Sequence, residues 1–189
     1  MQIKKREMKG VYEINLTAIN DKRGFFMRTY AREIFEKFNI DRNWVQENHS
    51  CSMKKGIIRG LHFQFPPYCE TKLVRCIKGT IFDVFVDLRK NSSTFGRWDS
   101  IELSEDNKKM IYIPRGFAHG FCTLADDCEV LYKVDNNYNP EAEGGIIWND
   151  KTLNIKWPTD NPILSQKDAN LPTFDKFVLK YGGLTINEG

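Results

Sequence analysis

Between Lys72 and Val134 the hydrophobic and polar positions alternate with a period of two, the side-chain repeat of an extended strand. From Ile81 to Leu88 the residues Phe82, Val84, Val86 and Leu88 fall on one face and Asp83, Phe85 and Asp87 on the other, which predicts a half-buried strand after a turn at Gly79-Thr80. Lys72, Val74 and Cys76 share a face in the preceding segment, and Val130, Tyr132 and Val134 share one in the segment from Glu129 to Asp135. Met110 to Ile113 predicts a further short strand, stopped at Pro114 because proline has no N–H to give a ladder. The best helical stretch is Ala31 to Phe38, where Ile34, Phe35 and Phe38 make a narrow apolar stripe and Asn39 is placed to close the end. Many short strands with little helix predict an all-β fold, a sandwich or small barrel of which the double-sheet jelly roll is one form, with short peripheral helices. No repeat, low-complexity tract or Pro/Ser-rich linker divides residues 1–189, so a single domain is expected.

Composition changes this picture mainly by exclusion. The chain carries 28 Lys and Arg against 25 Asp and Glu, and its longest basic run is Lys4-Lys5-Arg6, read as a solvated terminus. That balance lacks the footprint of a duplex nucleic-acid binder, while steering of an anionic small molecule stays open. No window approaches the length needed to cross a bilayer, and no apolar stretch follows the charged first ten residues, so a soluble cytoplasmic protein is expected. The five cysteines, Cys51, Cys69, Cys76, Cys122 and Cys128, are odd in number and contain no C-x-x-C pair, which reads as reduced thiols packed as small hydrophobes. Three histidines, His49, His62 and His119, form neither H-x-H nor H-E-x-x-H, so no metal site is expected.

The same alternation singles out chemistry. Lys72 and Tyr132 lie on the apolar faces of their strands, where an ammonium or a phenol needs a partner or a task. His62 points with Gln64 and away from Leu61 and Phe63, so three ionisable groups converge if the interior is the site. Each also has an ordinary structural explanation. His62 suits a satisfied core histidine, Lys72 a snorkelling side chain, Tyr132 a core aromatic, and Asp168 the third position of a capping box that starts at Ser165. Arg23 and Arg59 suit surface ion pairs.

Taken together, these residues stand in a longer pattern. Asp21 to Phe26, Gln46 to Ser50, Arg59 to Gln64, Lys72-Leu73-Val74, Asp83 to Arg89, Ser93 to Gly96, Pro114 to Phe121, Trp148-Asn149-Asp150 and Ile163 to Asp168 follow one another in an order and spacing that resembles the dTDP-4-dehydrorhamnose 3,5-epimerase family. The likeness runs from about Gly10 to Phe174; the tail 175–189 lies outside it and has no assigned role. The resemblance implies a cupin-type jelly roll acting as a homodimer, without metal or organic cofactor, on a nucleoside-diphosphate 4-keto-6-deoxyhexose in deoxysugar biosynthesis of the L-rhamnose type. By position, it implies His62 as the base, Asp168 as the partner fixing that ring, Lys72 as the cation for the enolate oxygen, and Tyr132 as the proton donor on the far face. It also implies Arg23, Arg59 and Lys167 on the diphosphate, His119 and Glu143 on the substrate, Gln46 and Asn48 near base and ribose, and Tyr138 stacked on the base.

One position departs from the pattern. Arg28 stands where the dTDP enzymes typically carry Glu, and guanidinium only donates where carboxylate accepts. CDP-, GDP- and UDP-linked sugars therefore stay open beside dTDP, as do single epimerisation at C3 or C5 and a non-catalytic sugar-nucleotide-binding module. A metal-dependent cupin oxygenase would need ligands the sequence does not place.

Overall fold

The short alternating segments fold into two facing antiparallel sheets in the computed structural model, which describes residues 1–186. In chain order the strands are β1 (Gln2–Lys5), β2 (Tyr12–Asn15), β3 (Ala18–Asp21), β4 (Gly24–Met27), β5 (Gln46–Ser52), β6 (Ile58–Gln64), β7 (Lys72–Lys78), β8 (Thr80–Asp87), β9 (Trp98–Ser104), β10 (Lys109–Ile113), β11 (Phe117–Thr123), β12 (Cys128–Val134) and β13 (Glu143–Gly145). The helices are α1 (Arg32–Glu36), α2 (Gln166–Ala169) and α3 (Phe174–Tyr181). One sheet runs β1-β2-β10-β7-β12-β5, the other β13-β6-β11-β8-β9, and β3 pairs with β4 as a separate hairpin. The chain passes from the first sheet to the second between β7 and β8, at Gly79. Its φ of +75° suits glycine, and a Cβ there would lie 2.7 Å from the Cys128 sulfur.

Three apolar clusters hold the layers together. Val74, Cys76, Ile111 and Val130 from the six-stranded sheet meet Ile81, Phe85, Leu103 and Phe121 from the five-stranded sheet, forming the core between them. Tyr12, Ile14, Leu73, Met110 and Tyr112 cover the outer face of the six-stranded sheet together with Phe35 of α1 and Ile40. On the outer face of the other sheet, Leu61, Phe63, Val84, Val86 and Leu88 pack against Phe174 and Phe177 of α3 and against Leu184. α1 ends as its sequence predicts, with Asn39 at a φ of 56° and Ile40 N–H donating to Phe35 O.

This structure corrects three expectations and gives the unassigned tail a place. The strand β8 is buried on both faces rather than half-buried: Asp83, Phe85, Val84 and Val86 are each 0% exposed. Its Val84–Val86–Leu88 face lies under α3, and the residues facing the other sheet are those of the Ile81–Phe85 set. The described part of the tail, residues 175–186, packs on the fold. Its helix α3 seals that outer face, and Leu184 adds backbone hydrogen bonds to Leu88 and Lys90 at 2.7 and 2.8 Å. Arg6 is not a solvated terminal charge but pairs with Asp99 at 2.8 Å and Glu13 at 3.2 Å. Cys51 is exposed, while the four other thiols are buried as expected. Burial pushes the Cys69 and Cys122 thiols up to about 11 and the Cys76 thiol to about 12, which keeps them protonated. Among the described residues no helix is long and apolar enough to cross a membrane.

Candidate active site

The five-stranded sheet supplies the imidazoles. On β6, His62 stands opposite His119 of β11, and both side chains turn toward the facing sheet. One β11 step from His119 to Phe121 is matched by the longer β6 step from Arg59 to His62, a bulge centred on Gly60. Gly60 has a φ of +111°, and a Cβ there would lie 2.6 Å from the His119 carbonyl oxygen, so the crossing demands glycine. The extra residue turns Arg59 to the same face as His62, where strict alternation would oppose them. From there Arg59 spans to β5 of the other sheet, its Nε donating to Ser52 Oγ at 3.0 Å and a terminal nitrogen to Cys51 O at 2.9 Å.

α2 brings the carboxylate. Ser165 caps that helix by accepting from Asp168 N–H at 3.0 Å, as the capping-box reading expects. The Asp168 side chain does not close the box. Its Oδ1 lies 2.7 Å from His62 Nε2 and its Oδ2 accepts from Gly60 N–H at 3.2 Å. Burial raises this carboxyl, but the His62 ring and the donated hydrogen bonds outweigh it and hold the group below the ordinary range. With Asp168 accepting from Nε2–H, the Nδ1 lone pair of a neutral His62 is directed away from the carboxylate, and the side chain keeps 31% exposure.

The six-stranded sheet supplies the opposing groups. Lys72 starts β7 and is 8% exposed, with its Nζ 3.0 Å from Glu70 and 5.7 Å from the centroid of the Tyr132 ring. Tyr132 on β12 packs at the edge of the core between the sheets. Asn48 on β5 stands directly across from it, and the Gln46 amide donates to Asn48 Oδ1 at 2.9 Å. At the rim, Glu143 of β13 ties two further predicted residues together: Tyr138 donates to its carboxylate at 2.8 Å, and Lys167 pairs with it at 2.5 Å. Burial raises the Glu143 carboxyl, yet Lys167, Tyr138 and the nearby His62 bring it below its ordinary value.

Not every predicted residue joins this cluster. Arg23 sits at the tip of the β3–β4 hairpin, 84% exposed and paired with Asp21 at 2.6 Å. Arg28 follows β4, exposed, and among the described residues neither arginine has a hydrogen bond or ion pair to the His62 cluster. Conversely, three groups packed near these residues were not singled out as site residues from the sequence. Asp83, fully buried, lies 2.8 Å from His119 Nε2 through one oxygen, while its other oxygen has no hydrogen-bond partner. Burial pushes the Asp83 carboxyl up against the opposing pull of His119 and Lys72. Glu70 and Gln64 form a second buried contact set around Lys72. Asp83 had a readable signal, a carboxylate alternating with Phe85 on a strand, whereas Glu70 lies in a loop without periodicity. Among the described residues no three His, Cys, Asp or Glu side chains gather as a metal site would require.

Two imidazoles of one sheet, each bonded to a carboxylate, face an ammonium and a phenol of the other, a layout suited to moving protons on a small ligand. A family model described as dTDP-4-dehydrorhamnose 3,5-epimerase matches residues 5–176. The dTDP-4-dehydrorhamnose 3,5-epimerase of Shigella flexneri is 48% identical over 172 residues, covering 90% of this chain and 94% of that protein. The crystal structure of the Bacillus anthracis enzyme of that name, with TDP and PPi bound, is 43% identical, with a TM-score of 0.90 over 92% of this chain and 99% of the other. A dTDP-6-deoxy-D-glucose-3,5-epimerase from Legionella pneumophila, in complex with dTDP-4-keto-L-rhamnose, is 35% identical, with a TM-score of 0.91 over 98% of each chain. Sequence and fold agree along almost the whole length, and the chain belongs to the dTDP-4-dehydrorhamnose 3,5-epimerase family, with its cupin-type double-sheet fold.

Proposed function

We infer that this protein is an isomerase that inverts C3 and C5 of a dTDP-linked 4-keto-6-deoxyhexose. The observation that carries this reading is the pairing of His62, opposite His119 on one sheet, with Asp168, and of Lys72 with the Tyr132 ring, 5.7 Å apart, on the other. Protons on C3 and C5 flank the C4 ketone, so removing either leaves an enolate with its charge on O4. His62, held by Asp168 through Nε2, takes the proton at Nδ1 and becomes an imidazolium that the carboxylate stabilises. Lys72 faces the developing O4 charge, and losing one preorganised donor of this kind typically costs about 3 to 4 kcal/mol of barrier. Tyr132 then gives its phenolic proton to the other face of the carbon, which inverts it. Proton exchange with solvent resets the imidazolium and the phenolate, and no redox step is required.

Arg59 and Lys167 would grip the diphosphate, since planar guanidinium forks and ammonium groups suit phosphate oxygens. His119 and Glu143 would touch the sugar, Gln46 and Asn48 the base and ribose, and Tyr138, 55% exposed, would stack on the base. Relatives named for dTDP sugars support thymidine as the nucleoside despite Arg28. We also propose a homodimer. The β3–β4 hairpin exposes Ile19, Phe25 and Phe26 at 67%, 56% and 64%, an apolar surface that a second copy would cover while receiving Arg23 and Arg28 near its own site.

The test is NMR in heavy water with dTDP-, CDP-, GDP- and UDP-linked 4-keto-6-deoxyhexoses. Deuterium entering both C3 and C5 of the dTDP sugar, faster than in the others, is the expected result. Exchange at one carbon alone would make the protein a monoepimerase, and binding without exchange would make it a binding module.

A further inference from the structure

Lys72 is the least anchored of the proposed groups by its own chemistry. Its four-carbon stem is flexible and its ammonium has no preferred donor direction, so preorganisation must come from a partner. Among the described residues its ion-pair partner is Glu70, at 3.0 Å, and the two side chains are only 11% and 12% exposed. Glu70 lies in the β6–β7 loop, two residues before Lys72, and is itself clamped. Its Oε1 holds the ammonium, and its Oε2 is 3.1 Å from the Gln64 amide nitrogen. Gln64 is 4% exposed and fully engaged: its nitrogen also approaches Tyr68 O at 3.0 Å and Asn137 O at 3.2 Å, and its oxygen accepts from Asn139 N–H at 2.7 Å.

We propose that Glu70, fixed by Gln64, is a positioning residue that sets where the Lys72 ammonium stands relative to the enolate oxygen. This rests on the epimerase reading above. An ammonium has three N–H donors, so Lys72 can hold Glu70 and a second anion together. A buried cation without a counter-charge is the costly alternative. The other titratable groups around Lys72 are Asp83 of β8, whose carboxyl the lysine charge opposes in its upward shift, His119 of β11 bonded to Asp83, and Tyr132 of β12.

The test follows solvent deuterium exchange at C3 and C5 in wild type, Glu70→Gln and Glu70→Asp, with dTDP binding measured by calorimetry. Glu70→Gln keeps the size and removes the charge. It should lower kcat about 10- to 100-fold with KM within about threefold and dTDP binding unchanged. Glu70→Asp restores the charge on a shorter arm. It should recover part of the rate, and it gives the same reading should the glutamine variant fold poorly. A Glu70→Gln rate equal to wild type, a loss confined to KM, or an aspartate variant no better than the glutamine one overturns the proposal. A wild-type protein that exchanges nothing overturns the epimerase reading itself, a separate and distinguishable failure.

Discussion

At His62 the important detail is which nitrogen meets the carboxylate. Asp168 holds Nε2, so the proposed base acts through Nδ1, and replacing Asp168 leaves the ring in place but removes its charged partner. Asp168→Asn should reduce kcat for exchange about 100-fold while the protein still binds dTDP, checked by rate measurements beside calorimetric titration. Binding lost together with rate would instead mean that Asp168 shapes the cavity. The inward side chains of Lys72 and Tyr132 were legible from alternation, because their neighbours Val74 and Val130 are apolar on the same face. Asp168 was legible only through the family pattern, since its local signal is a helix cap, and the structure shows its backbone serving that cap while its side chain serves the histidine. Arg59 was named by the family pattern, but that it shares a face with His62 was not legible, because a period of two does not register the bulge at Gly60.

At the scale of elements, β8 shows where patterning misleads. A strand covered on both sides loses the polar–apolar contrast that identifies its inner face, and the Phe82–Leu88 set looked like the core because α3 makes it one. Asp83 was thereby assigned to the wet side of a strand in which it is 0% exposed. The β3–β4 hairpin is the reverse case, an element with apolar residues and nothing of its own chain over much of them. Phe26→Glu places a charge on that surface. Sedimentation should show wild type at twice the 22.1 kDa chain mass and the variant at one, with KM raised at least about tenfold as Arg23 and Arg28 leave the neighbouring site. A variant that stays dimeric, or a monomer with unchanged KM, would contradict the proposed exchange.

Over the whole molecule, buried carboxylates set the response to acid, and their signs differ. Burial raises Asp87, but Arg89 at 2.7 Å with the Ser92 and Thr94 hydroxyls outweighs it and leaves the carboxyl below its ordinary value. Asp168 is lowered likewise. A lowered folded value means that the stabilisation is present above the unfolded value, about 3.9 for aspartate, and is lost as pH falls through the folded one. Asp83, raised by burial, works the other way and gains stability as it takes up a proton. With Glu143 and Glu13 lowered beside Asp87 and Asp168, and Asp83 raised, the melting temperature should hold down to about pH 4 and fall below it. Asp87→Asn should flatten that fall in calorimetry; an unchanged acid limb would contradict the assignment.

The central claim is that hydrogen leaves one face of the sugar carbon and returns to the other, because the groups responsible stand on different sheets. The most direct measurement follows both deuterium uptake and configuration at C3 and C5 in Tyr132→Phe and His62→Ala. The account predicts that Tyr132→Phe still exchanges deuterium but largely retains configuration, since His62 can return a proton only to the face it came from, and that His62→Ala exchanges essentially nothing. Inversion at the native rate in Tyr132→Phe, or undiminished exchange in His62→Ala, would contradict it.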